Sequence, residues 1–220
     1  MRALVIGASG GIGAALAAAL SQQGAEVLGL SRSRDGLDIT DEASIAAHLD
    51  RLSGAFDTVI VATGALALGD MAPEKSLRSL TEAALLGQFA VNAMGPALVL
   101  KHAARLLPRD RPARFAALSA RVGSIGDNAL GGWYSYRAAK AALNQLIHTG
   151  AIELARSHPQ AVVVSLHPGH VATDLSAAFG GTLPSVSPDA AANYILGVLD
   201  QLTPTETGGF FDWAGKPIVW

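Results

Sequence analysis

Residues 3–20 read Ala3-Leu-Val-Ile6-Gly7-Ala-Ser9-Gly10-Gly11-Ile12-Gly13-Ala-Ala-Leu16-Ala-Ala-Ala-Leu20. A four-residue apolar run meets a cluster of glycines, and apolar residues then recur at Ile12, Leu16 and Leu20. The first pattern is that of a buried strand and the second that of one helix stripe. Arg2 followed by this stretch superficially resembles a secretory leader. Four interrupting glycines, however, make a poor membrane helix. The reading is strand, tight turn, helix.

The turn has chemistry of its own. Glycines let backbone N–H groups come close to a pyrophosphate, and a helix N-terminus adds positive potential. Gly7, Ser9, Gly10, Gly11, Ile12 and Gly13 are therefore candidate cofactor-binding residues. The spacing is G-x-x-x-G-x-G, without the Lys-Ser/Thr of a P-loop. Gly7-Ala-Ser9-Gly-Gly11 also satisfies G-x-S-x-G, the nucleophile elbow of α/β-hydrolases. That alternative makes Ser9 a nucleophile and needs an acid (Asp127, Asp174 or Asp189) and a histidine (His167 or His170). No histidine follows His170, and an elbow on the first strand has few neighbours from which to build an oxyanion hole.

Outward from the loop, short apolar runs alternate with amphipathic stretches, the pattern of a parallel sheet covered by helices. Strands are predicted at residues 3–6, 27–30, 57–62, 114–118, 161–166 and 209–213. Helices are predicted after the glycine loop and at residues 42–52, 77–107 (broken), 136–157 and 189–202. Only five residues separate Arg32 from Asp38, too few for a crossover helix. A third strand at 37–39 is therefore vestigial, or its helix is replaced by a tight loop. The expectation is a single-domain, Rossmann-like doubly wound α/β fold over residues 1–220.

Composition narrows the partners. The chain has 220 residues, half of them hydrophobic, with a formal net charge of −2. That balance offers no basic footprint for nucleic acid and no polybasic membrane anchor. With no cysteine, thiol catalysis, disulfides and Cys-ligated zinc are excluded. His167 and His170 lie in a Pro-Gly turn with no third ligand and are read as turn residues, not a metal site. Beyond the N-terminus no segment is expected to be long and apolar enough to span a bilayer. A cytoplasmic location is expected.

Tyr136-Arg-Ala-Ala-Lys140 places a phenol and an ammonium four apart, on one helix face. A phenol is a weak acid–base at neutral pH, but an adjacent ammonium favours its phenolate. Such a tyrosine can protonate a carbonyl oxygen as hydride arrives, or deprotonate an alcohol in reverse.

Together these motifs resemble the short-chain dehydrogenase/reductase family, in the family's order and over nearly the whole chain. Gly7, Gly11 and Gly13 match its cofactor loop, Asn92 its helix asparagine and Tyr136–Lys140 its Y-x-x-x-K. His167-Pro168-Gly169-His-Val171-Ala-Thr173 matches its P-G-x-x-x-T. The short second connection and the ending Gly-Gly-Phe-Phe-Asp-Trp-Ala-Gly-Lys-Pro-Ile-Val-Trp220 are similar to its C-factor/sniffer-like carbonyl reductase branch. The resemblance implies an NAD(P)-dependent oxidoreductase acting on a small carbonyl or alcohol. It implies that Lys140 holds the nicotinamide ribose, that Asn92 holds a water linked to Lys140, and that Pro168, Gly169, Val171 and Thr173 contact the cofactor. It further implies a homodimer or homotetramer through helices 77–107 and 136–157. A dinucleotide-binding regulatory role with little turnover is the alternative in another class.

Three positions depart from the family pattern. Its N-N-A-G appears as Val61-Ala-Thr-Gly64, keeping only Gly64 as a cofactor-side glycine. Asp38-Ile39 stands where the family contacts adenine, behind an altered loop. Its substrate-orienting serine falls on Ala120, three before Gly123. Ser119 is the expected substitute, Ser124 the second choice and no serine the third. At the end of the second strand stand Ser31-Arg32, with Arg34 nearby and no acid in the ribose-binding position. A guanidinium there can bind a 2′-phosphate, so NADP(H) is expected over NAD(H). Substrate choice is expected to lie in the small, apolar loop 175–186.

Overall fold

A computed structural model describes residues 1–173 and 184–220. Asp174 and residues 175–183 of the expected substrate loop lie outside the described residues. The strands are β1 (Arg2–Ile6), β2 (Glu26–Leu30), β3 (Thr58–Val61), β4 (Ala113–Leu118), β5 (Ala161–His167) and β6 (Phe210–Asp212). They form one parallel sheet in the order β2-β1-β3-β4-β5-β6. The helices are α1 (Gly11–Gln22), α2 (Arg32–Asp35), α3 (Glu42–Leu49), α4 (Glu82–Phe89), α5 (Gly95–Ala103), α6 (Tyr134–Leu154) and α7 (Pro188–Gln201).

Alternation along each strand divides the core in two. Leu4 and Ile6 of β1, Val59 and Val61 of β3, and Phe115 and Ala117 of β4 face the helices α3, α5 and α6. Ala3, Val5, Ile60, Ala116 and Leu118 face α1 and α7. With a side-chain period of two, both faces must be apolar, which is why these strands read as continuous apolar runs. The sheet is thus covered on both sides, the doubly wound arrangement expected from the sequence.

The order reverses at β1, which lies between β2 and β3. Ligands of such sheets bind outside the carboxyl ends of the strands at this switch point. Residues 37–39 form no strand, so the sheet has six strands. Leu37 and Ile39 are nevertheless buried in the core beneath α5. Between β2 and residues 37–39 only the short α2 intervenes, capped by the Ser31 hydroxyl and ended by Gly36 at φ +75°, and α3 completes the crossover to β3.

The expected 77–107 helix is broken as predicted, with an added feature. Residues Ala90–Met94 form a π turn between α4 and α5. Pro96 has no N–H to give the carbonyl of Asn92, its α-helical acceptor, and the wider turn accommodates that loss. The run Glu82–Leu106 is 25 residues long and apolar enough to cross a membrane by length and composition. That corrects the expectation that no further segment would be; here it packs against α6 and the sheet. On α4, Leu85, Leu86 and Phe89 remain exposed, on a helix expected to make subunit contacts.

Candidate active site

Gly7 has φ +90°, and a Cβ there would lie 2.9 Å from the Ala62 carbonyl oxygen. A Cβ on Gly13 would collide with the Gly7 carbonyl oxygen. These two glycines let β1, β3 and α1 converge. Helix α1 is capped by Gly10 without a side-chain hydrogen bond, and its first turn holds no acid. Among the described residues the N–H groups of Gly11, Ile12 and Gly13 have no helical or side-chain acceptor. Ser9, Gly10 and Gly11 are exposed and Ile12 is half-buried. The loop fits a pyrophosphate, with backbone donors and positive potential in place. The Ser9 hydroxyl has no hydrogen bond to a histidine or carboxylate among the described residues.

At the end of β2 Ser31 is buried. Its N–H donates to Asp35 Oδ2 at 2.8 Å and its hydroxyl to the same oxygen at 3.2 Å. Arg32 and Arg34 are exposed, with no ion pair among the described residues. Asp35 thus brings a carboxylate to the edge where the sequence reading placed none. Asp38 accepts from the N–H and hydroxyl of Thr40, at 2.8 and 2.7 Å, which hold its carboxyl below the usual carboxylate range. The Ile39 side chain is core, and its carbonyl would lie 2.6 Å from a Cβ on Gly95.

Asn92 sits in the π turn, fully buried. Its side chain pairs with both backbone groups of Ala65, donating to the carbonyl at 2.8 Å and accepting from the N–H at 3.2 Å. Its second amide proton goes to Gln88 Oε1 at 2.6 Å, and Gln88 in turn donates to the Leu66 carbonyl at 2.9 Å. Beside them, a Cβ on Gly64 would lie 3.0 Å from Asn92 Oδ1 and 3.5 Å from Lys140 Nζ. A side chain there would press on Asn92 Oδ1.

Lys140 is buried on α6, donates from Nζ to the Leu118 carbonyl at 2.9 Å, and lies 5.8 Å from the Tyr136 ring centre. Burial pushes the Lys140 ammonium down to about 7 and the Tyr136 phenol up to about 12. Both shifts are desolvation, which penalises the charged forms. Without a ligand the phenol therefore holds its proton at neutral pH.

The serines near Ala120 are placed as follows. The N–H of Ser119 still bonds the Leu166 carbonyl at 2.8 Å, so the strand ladder continues through it and no bulge re-aims its side chain. Its hydroxyl donates to Asn144 Oδ1 at 2.7 Å in the buried seam under α6. Asn144 is eight residues past Tyr136, about 12 Å along the helix axis. Ser124 is also buried, its hydroxyl accepting from the Asp127 N–H at 3.0 Å. Ala120, between the strand and the turn Arg121–Gly123, brings no hydroxyl.

After β5 the chain turns at Pro168 and Gly169 (φ +83°), bridges at Val171 to Val186, and reaches the glycine loop. There a Cβ on Gly11 would lie 2.9 Å from Thr173 Cγ2. The switch point, the Pro-Gly segment and the Tyr136–Lys140 face thus meet at one edge of the sheet. The family model described as enoyl-(acyl carrier protein) reductase matches residues 7–210. The chain belongs to the short-chain dehydrogenase/reductase family.

Among curated relatives, 1-hydroxy-2-glutathionyl-2-methyl-3-butene dehydrogenase of Rhodococcus sp. (strain AD45) is 32% identical, covering 99% of this chain and 98% of its own. An NADP-bound short-chain dehydrogenase/reductase structure from Burkholderia multivorans superposes with TM-score 0.82 at 27% identity, covering 100% and 99% of the two chains. Carbonyl reductase Sniffer of D. melanogaster shares the fold, with TM-score 0.83 at 20% identity and coverage of 100% and 99%.

Within this dehydrogenase, several supporting residues escaped the sequence reading. Gln88 is four residues before Asn92 on one helix, a spacing that could have revealed it. Glu74 and Asn144 act across the fold, and no local pattern points to them.

Proposed function

We propose that this dehydrogenase is an NADP(H)-dependent reductase of small carbonyl compounds, and oxidises the matching alcohols in reverse, with Tyr136 as general acid/base. The observation that carries this reading is the convergence of Gly64, Asn92 Oδ1 and Lys140 Nζ beside the buried Tyr136 ring. A bound nicotinamide supplies the hydride. Gly7 to Gly13 hold the pyrophosphate, Arg32 and Arg34 meet the 2′-phosphate, and Asp38 with Ile39 borders the adenine. Pro168, Gly169, Val171 and Thr173 border the nicotinamide end.

The proton chemistry belongs to the chain's own residues. Tyr136 donates its phenolic proton to the carbonyl oxygen, and its raised pKa keeps that proton available at neutral pH. Lys140, with its pKa lowered to about 7, is charged in part of the molecules and stabilises the phenolate left behind. Asn92 fixes the loop at Ala65, which keeps Gly64 against Lys140. The Ser119 hydroxyl gives its proton to Asn144, and Ala120 offers none, so Tyr136 is read as working without a serine donor. The NADP-bound Burkholderia relative supports the cofactor assignment, and the complete Asn-Tyr-Lys set favours turnover over a purely regulatory role. A cytoplasmic setting is part of the proposal.

The test is consumption of NADPH and NADH with a panel of aldehydes, ketones and quinones, and of NADP+ with alcohols. Carbonyl-dependent oxidation of NADPH is the expected result. Failure of every carbonyl and alcohol with either cofactor would overturn the reading.

A further inference from the structure

Among the described residues Trp133 is the one non-glycine with a left-handed backbone, at φ +52°. For a bulky aromatic that conformation is strained, and such strain persists only where its surroundings over-determine it. Here they do. Gly131 and Gly132, at φ +65° and +66°, wind the chain into it. Glu74, buried and distant in sequence, accepts from the Trp133 N–H at 2.5 Å through its carbonyl and from the Ser135 N–H at 3.2 Å through Oε2. Arg137 grips the same turn, donating to the carbonyls of Gly132 at 2.9 Å, Gly131 at 3.1 Å and Val122 at 3.2 Å.

All of this fixes the backbone that carries one indole. Trp133 is three residues before Tyr136, on the same side of the helix start, and meets its ring edge-on with centres 6.3 Å apart and planes at 73°. It is only half-buried, so part of its surface stays open beside the phenol. A rigid indole there offers a large apolar contact without needing to be ordered on binding. Ala120 gives the carbonyl no second donor, so packing has more to do in orienting it.

We propose that Trp133 is a specificity-determining residue, a fixed aromatic wall that selects carbonyl compounds bearing an aryl group over short aliphatic ones. This rests on the reading of Tyr136 as the acid that meets the carbonyl. Aromatic pairs favour edge-to-face and offset geometries, so an aryl ring gains from the wall what propanal does not.

The test compares benzaldehyde with propanal, and benzyl alcohol with 1-propanol, using the NADPH- or NADP+-loaded protein. Trp133→Ala removes the wall, and Trp133→Gly removes it while adopting φ +52° freely, so one variant stays folded if the other does not. The ratio of kcat/KM for benzaldehyde over propanal is expected to fall roughly tenfold in either variant, with the NADPH Kd within about twofold of wild type. Calorimetric binding of benzyl alcohol is expected to weaken similarly while 1-propanol binding is unchanged. Equal losses for both compound classes, or no change in the ratio, would overturn the proposal. If the wild type turns over neither aldehyde, the catalytic reading suffers, and the two alcohol affinities still decide whether the wall selects.

Discussion

Ser119 and Ser124 lie within five residues of each other, and hydrogen bonds decide what each can do. Ser119 donates its proton to Asn144 Oδ1, and Ser124 accepts from the Asp127 N–H. Ser119→Ala and Ser124→Ala should therefore each leave kcat/KM for the best carbonyl within about threefold of wild type. Leaving buried Asn144 Oδ1 without its donor should lower stability by about 1–2 kcal/mol. A hundredfold activity loss in either variant at unchanged stability would return that hydroxyl to the substrate. His167 makes a second claim at this scale. Burial, with Arg121 adding, pushes its imidazole down to about 4, against an ordinary value of 6.5. The folded protein thus binds this proton at lower pH than the unfolded chain does. The stability contributed by the neutral ring is complete above about 6.5 and is lost as the pH falls towards 4. The shift corresponds to something on the order of 3 kcal/mol. Denaturant titrations of wild type and His167→Asn between pH 7 and 4 should converge on the acid side. Parallel curves would contradict the assignment.

Elements were legible where local pattern and tertiary demand agree. Residues 3–20 had to be strand, turn and helix, because both strand faces are buried and the glycines stand where β1, β3 and α1 converge. Residues 37–39 were left between a vestigial strand and a tight loop: Leu37 and Ile39 have a strand's apolar alternation and a strand's burial, yet form no strand. The π turn was invisible to periodicity, although Pro96 four residues after Asn92 marks where the α ladder must fail. Glu74 was illegible for a different reason, since its partners Trp133 and Ser135 are brought to it only by the finished fold. At the end of β2 the sequence revealed Arg32 and Arg34 but not that Asp35 folds back onto Ser31. Two exposed guanidinium groups favour a 2′-phosphate, and one carboxylate at the same edge opposes it. The preference for NADPH over NADH should accordingly be modest, about tenfold. Arg32→Ala should reduce it by weakening NADPH alone, and equal titration curves for the two cofactors in wild type would refute the assignment.

For the whole molecule, parallel strands do what no single motif can. All six carboxyl ends lie along one edge, so Gly7, Ser31, Gly64, Ala120 and His167, scattered over 160 residues, end as neighbours of one crevice. Order and spacing made the family recognisable from sequence, whereas the Ser119–Asn144 bond, made across β4 and α6, had no local signal. The central claim is that the buried phenol of Tyr136 supplies the proton at that edge. Tyr136→Phe tests it most directly, because the ring and its contact with Trp133 remain while the proton is removed. With the best carbonyl at saturating NADPH, kcat is expected to fall by about 10²–10⁴, with the NADPH Kd within twofold of wild type. Turnover within tenfold of wild type, at unchanged cofactor affinity, would contradict the account.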